Sequence, residues 1–70
     1  MDEKTKELFK MFEIGVENER NAQGFYEDLI KKSTSPLEKE IFEHFLKEEQ
    51  KHEQKLIQVY ADMKKKYGLT

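Results

Sequence analysis

Mostly apolar residues recur along two stretches of the chain at alternating steps of four and three. In the first stretch Leu8, Phe12, Gly15, Glu19, Ala22, Tyr26 and Leu29 fall on one line, and in the second Phe42, Phe45, Glu49, His52, Leu56, Val59 and Met63 do. An average step of 3.5 keeps such residues on one side of an α-helix and is the seam spacing of coiled-coil-like bundles. Phe9, Val16 and Ile30 flank the first line, and Leu46 and Tyr60 flank the second, so both apolar faces are broad. A helix with a face of this width contacts more than one neighbour.

A single cluster of turn formers away from the termini, Ser33-Thr34-Ser35-Pro36, separates the two stretches. Pro36 disfavours helical geometry at the residue before it and suits the first position of a new helix. Ser35 then serves as N-cap, and Glu38 completes a capping box. Asp2 is the matching N-cap of the first helix, and Gly68 the C-terminal stop of the second. The pattern predicts helix 1 over about 3–32, a turn at 33–35 and helix 2 over about 36–67. The expected fold is all-α: an antiparallel two-helix hairpin, one domain spanning residues 1–70.

Composition removes several alternatives. There is no Cys, so neither disulfides nor thiolate metal sites support the chain. A chain of this size buries only about 60 % of the surface its unfolded form exposes. What remains is a metal held by His and carboxylate, or self-association. A lone hairpin cannot cover its own broad faces, so the expectation is a homodimer or larger homo-oligomer that completes a four-helix bundle. Thirteen basic and fifteen acidic residues are interspersed, with a net charge of −2, and leave no nucleic-acid footprint. The basic run Lys64-Lys65-Lys66 complements a helix dipole. No apolar stretch approaches the ~20 residues of a membrane span, and no export signal is recognisable, so the expected location is cytoplasmic.

Eleven of the fourteen seam positions are uncharged, and the other three are Glu19, Glu49 and His52. Burying an unpaired carboxylate costs several kcal/mol even after relaxation, and no Lys or Arg stands on either seam to offset it. Glu19 lies fifteen residues before Thr34 and Glu49 fifteen after it. At ~1.5 Å rise per residue both sit about 22 Å from the turn, at one height on facing helices. His52 follows Glu49 by three and shares its face. Oxygen and nitrogen donors of this kind suit Fe or Mn, and also Zn. One hairpin offers three ligands, whereas two related by a two-fold axis offer four carboxylates and two imidazoles, the set found in di-iron carboxylate bundles.

A metal-free cluster with protonated His52 between the carboxylates is the alternative. Off the seam, Glu17, Glu48 and Glu53 read as solvated charges, and His44, between Glu40 and Glu48, as an exposed histidine or a weak surface metal site. Tyr26 reads either as core packing or as a phenol that orients a ligand carboxylate. Gly15 implies a close approach or space beside a metal.

Glu19-Arg20-Asn21-Ala22-Gln23-Gly24-Phe25-Tyr26, with Glu48-Glu49-Gln50-Lys51-His52 downstream, resembles the helix-pair signature of the rubrerythrin branch of the ferritin-like superfamily. There a Glu is followed after six residues by Tyr, and Glu-x-x-His lies on the next helix. A full rubrerythrin has four helices and a cysteine-bearing rubredoxin domain; this chain is half a ferritin-like bundle. In that it is similar to the encapsulated ferritins, whose two-helix subunits build a di-iron ferroxidase centre at a subunit interface and form rings. The resemblance implies iron ligation by Glu19, Glu49 and His52, a nearby Tyr26, and oxidation of Fe(II) by O2 or peroxide. It also implies an encapsulin shell as partner and compartment, although no shell-targeting tail is recognisable after Tyr67. The other readings it allows are peroxide reduction with an external electron donor and a non-catalytic, metal-stabilised oligomer.

Overall fold

The computed structural model describes residues 2–68; Met1, and Leu69 and Thr70 in the stretch after Tyr67, lie outside the described residues. Two helices, α1 (Glu3–Lys32) and α2 (Pro36–Lys66), run antiparallel as a hairpin about 51 Å long and 17 × 14 Å across. Each start follows from its cap. The Asp2 carboxylate accepts from the Thr5 amide at 2.8 Å, and the Thr5 side chain, then this amide, hold the Asp2 carboxyl below its usual range. Ser35 Oγ accepts from the Glu38 amide, and Pro36 opens α2. The return arm of the capping box differs from the expected form, because the Glu38 carboxylate accepts from the Ser33 hydroxyl at 3.2 Å. That bond ties the two ends of the turn together. At the other end Gly68 adopts φ +69°, a left-handed conformation that glycine takes without a Cβ clash.

The helices meet along a seam rotated from the expected one. On α2 the half-buried line is Phe42, Leu46, Glu49, Glu53, Leu56, Tyr60 and Met63. Leu46, Glu53 and Tyr60 thus face α1, where Phe45, His52 and Val59 were expected, and the latter three are exposed. On α1 the same shift leaves Phe9 only 6 % exposed, against 40 % for Leu8. Phe9 is the one buried residue among those described, with the rings of Tyr60 and Tyr67 edge-on to it at 5.3 and 6.0 Å. Adjacent columns of a 3.5-residue repeat lie on either side of the shared positions. The expected line is therefore the overlap of two faces: one against the other helix, one left open.

The open face carries Leu8, Met11, Phe45 and Val59, all exposed. Its middle is a groove of about 430 Å³ lined by Phe12, Glu19, His52, Lys55, Leu56 and Val59. The opposite, closed face carries Phe9 and Tyr60, whose hydroxyl donates to Glu13 at 2.9 Å. Among the described residues no helix is long and apolar enough to cross a membrane.

Candidate metal centre

Glu19 and Glu49 stand at positions shared by the hairpin seam and the open face, while His52 lies on the open face alone. Their donor atoms all fall within 4.8 Å of one another. His52 Nδ1 is 3.8 Å from Glu19 Oε2 and 3.9 Å from Glu49 Oε2. Equal backbone height explains the two carboxylates, and side-chain lean explains the imidazole. Helical side chains tilt toward their own N-terminus, so those of α1 lean away from the turn and those of α2 toward it. His52, three residues farther from the turn than Glu49, is thereby brought level with Glu19.

The electrostatics of this cluster are incomplete. Each carboxylate side chain is 22 % exposed, and His52 54 %. No Lys or Arg among the described residues lies within ion-pair distance of either carboxylate. Two such charges about 5 Å apart repel by roughly 3 kcal/mol even at an effective dielectric of about 20. Glu19 Oε2 is buried without a hydrogen-bond partner, a state that costs the full desolvation of the oxygen. His52 stands too far for a hydrogen bond to either carboxylate. A divalent cation held by two carboxylate oxygens and one imidazole nitrogen removes both penalties, and hard-to-borderline ions such as Fe(II) or Mn(II) accept that donor set. Iron therefore fits the residues present.

The remaining residues singled out in the sequence fall elsewhere. Tyr26 packs its ring against Phe25 and Phe45, each at 5.6 Å. Among the described residues no hydrogen bond joins its hydroxyl to Glu19 or Glu49, two turns and about 10 Å away along the helix. Within one hairpin the Tyr26 ring is a packing element. His44 is exposed, with Nε2 3.9 Å from Glu48.

Two residues carry more than sequence reasoning gave them. Lys55 lines the rim of the groove beside Glu19 and His52. Glu53, expected as a solvated charge, is 18 % exposed and accepts from Arg20 Nε at 3.1 Å and Gln23 Nε2 at 2.6 Å. Donation from Gln23, then from Arg20, holds its carboxyl below the usual range. The lean of the side chains was the missing signal. Gln23 is eleven residues before Thr34 and Glu53 nineteen after it, a mismatch at the backbone that opposite tilts close.

Compared with known proteins, residues 2–70 match the rubrerythrin family. The chain belongs to that family. No curated protein and no solved structure matches it. Members of the family are di-iron carboxylate proteins of the ferritin-like class, and in this chain Glu19, Glu49 and His52 form a carboxylate–histidine cluster that could hold a metal.

Proposed function

We propose that the protein is a ferroxidase: two copies pair through their open faces, join two Glu19–Glu49–His52 sets, and oxidise Fe(II) with O2 or peroxide for iron storage or detoxification. The observation that carries this reading is the buried, unpartnered Oε2 of Glu19 beside Glu49 and His52, on a face that one hairpin leaves open. Three ligands are too few for iron. Two hairpins supply four carboxylates and two imidazoles, and four negative charges balance two divalent cations.

The position of the cluster favours pairing. It lies near mid-length in both helices, Glu19 within Glu3–Lys32 and Glu49 and His52 within Pro36–Lys66. A two-fold axis through it, across the long axis, lays one open face along the whole of the other. Leu8 and Val59 of one copy then cover the turn-end residues Ile41 and Phe45 of the next, which are also exposed. In this arrangement Glu19 and Glu49 bind or bridge the ions, and His52 is a terminal ligand. All three must be deprotonated to bind. Iron, as substrate, supplies one electron per ion to the oxidant.

Stopped-flow absorbance after mixing Fe(II) with metal-free protein in air tests the reading. Oxidation faster than in buffer is expected. Bound metal with no acceleration overturns it and leaves a structural metal, for which zinc is the natural occupant. Turnover only with peroxide and an added electron donor favours the second reading, peroxide reduction, which the family match supports. Solution mass tests the pairing, since a persistent 8.5 kDa species that binds two irons contradicts a shared site.

A further inference from the structure

The halves of the Glu19–Glu49–His52 cluster sit on different helices, so the cluster exists only while α1 and α2 hold one register. A slip of one turn moves one helix about 5.4 Å past the other, more than the separation of the donor atoms. Apolar packing alone resists such a slip poorly, because the seam repeats, and among the described residues Phe9 is the one buried enough to mark a position. The turn fixes register at its own end, about 22 Å from the site. Near the site the directional bonds between helices converge on Glu53, whose Oε1 accepts from Gln23 and Oε2 from Arg20. Gln23 and Glu53 are polar residues standing on the seam itself, and single polar residues at seam positions are the best-attested device for fixing register.

We propose that Arg20, Gln23 and Glu53 form a clasp that positions Glu19 against Glu49 and His52. The inference rests on the metal-site reading above. Arg20 adjoins Glu19, and Gln23 follows Glu19 by one turn; Glu53 adjoins His52 and follows Glu49 by one turn. The clasp therefore joins the two ligand-bearing turns from the closed side. It has a second consequence. With both oxygens engaged, Glu53 is withheld from the ligand set, while Glu19 Oε2 stays free.

Cobalt(II) binding to the full chain, followed by affinity and visible absorption, tests the clasp. Glu53→Ala is expected to weaken affinity by about ten-fold or more, as loss of supporting partners around a metal site does, and to change the intensity of the cobalt bands. Glu53→Gln keeps an oxygen acceptor and should restore much of both. Tyr60→Phe removes the interhelical bond from Tyr60 to Glu13, the other one among the described residues. It should lower the thermal midpoint and leave the cobalt spectrum as in wild type. A Glu53→Ala protein with wild-type affinity and spectrum overturns the clasp, as does a Tyr60→Phe protein that shifts them equally. Should Glu53→Ala lose its helical circular dichroism, Gln23→Ala, which spares the Arg20–Glu53 pair, is read instead. A several-fold loss is expected there, and no change overturns the proposal. Wild-type protein that takes up no cobalt overturns the metal site and the clasp together. Loss of cobalt in Glu49→Ala beside an unaffected Glu53→Ala overturns the clasp alone.

Discussion

The two sides of the hairpin are built on opposite terms. On the closed side, Tyr60 donates to Glu13, Glu53 has a donor for each oxygen, and Phe9 lies under two tyrosine rings. On the open side, Leu8, Phe45 and Val59 face outward, and the oxygen that most needs a partner, Glu19 Oε2, has none. One side has its hydrogen-bonding groups paired within a single chain. The other carries the apolar surface and the unmet charge of an interface still to be closed, and the cluster of Glu19, Glu49 and His52 lies on the boundary between them.

The contrast is broken most severely at the cluster. Glu49→Ala removes one of two carboxylates and should abolish iron and cobalt binding by titration calorimetry. Glu48→Ala, one residue away, touches only a rim carboxylate facing exposed His44. Surface pairs of that kind contribute little, so metal binding should stay as in wild type. Loss of binding in both variants would dissolve the distinction between ligand and rim.

Next in size is the interface itself. Val59 and Ile57 are similarly exposed, at 39 % and 43 %, but Val59 lines the groove beside Glu19 and His52, and Ile57 a groove on the opposite face beside Arg20 and Tyr60. Val59→Glu places a carboxylate in the proposed contact, where burying it unpaired costs several kcal/mol, and should reduce the assembly to single chains by sedimentation. Ile57→Glu should leave the mass unchanged. The reverse result would assign the interface to the wrong side.

Much of this was legible in the sequence, for reasons that also mark where legibility ends. Asp2, Ser35 and Pro36 act through local backbone chemistry, and their positions could be read directly. Glu19 and Glu49 could be read because they stand on positions shared by both faces, so an error of one column did not displace them. The seam itself could not be placed, because Phe45 and Leu46, or Val59 and Tyr60, are equally apolar neighbours. A repeat that serves two faces does not say which column meets its own chain. The clasp was missed for a geometric reason. Glu53 pairs with residues that lie at a different backbone height, and only the opposed tilt of the side chains brings them together.

Acid should separate the sides in a single titration. Hydrogen bonds from Gln23 and Arg20 lower the Glu53 carboxyl in the folded chain. The stabilisation is therefore complete above the ordinary carboxylate range and is lost as pH falls through the lowered folded value. Metal on the open side stays bound only while every one of its ligand atoms is free of protons, whereas the closed side depends on a single lowered carboxyl. Cobalt absorbance should thus decay first, and helical circular dichroism only at lower pH. Simultaneous loss would show that the hairpin does not outlast its metal.

The finest comparison sets two glycines against each other. Gly15 lies on the floor of the open face, where an added Cβ would meet Leu56 Cδ1 at 3.6 Å, an ordinary contact; at Gly24 it would meet nothing within 4 Å. Neither residue is required by its own hairpin, yet each costs about 1 kcal/mol relative to alanine in a helix. Gly24→Ala should raise thermal stability by up to about 1 kcal/mol and leave assembly alone. Gly15→Ala should give a similar gain in the single-chain Val59→Glu background. In the otherwise wild-type protein it should give less and weaken association, because the methyl group stands where a second copy approaches. Equal gains from both substitutions in the assembled protein would show that nothing approaches at Gly15, and the interface would have to lie farther along the open face.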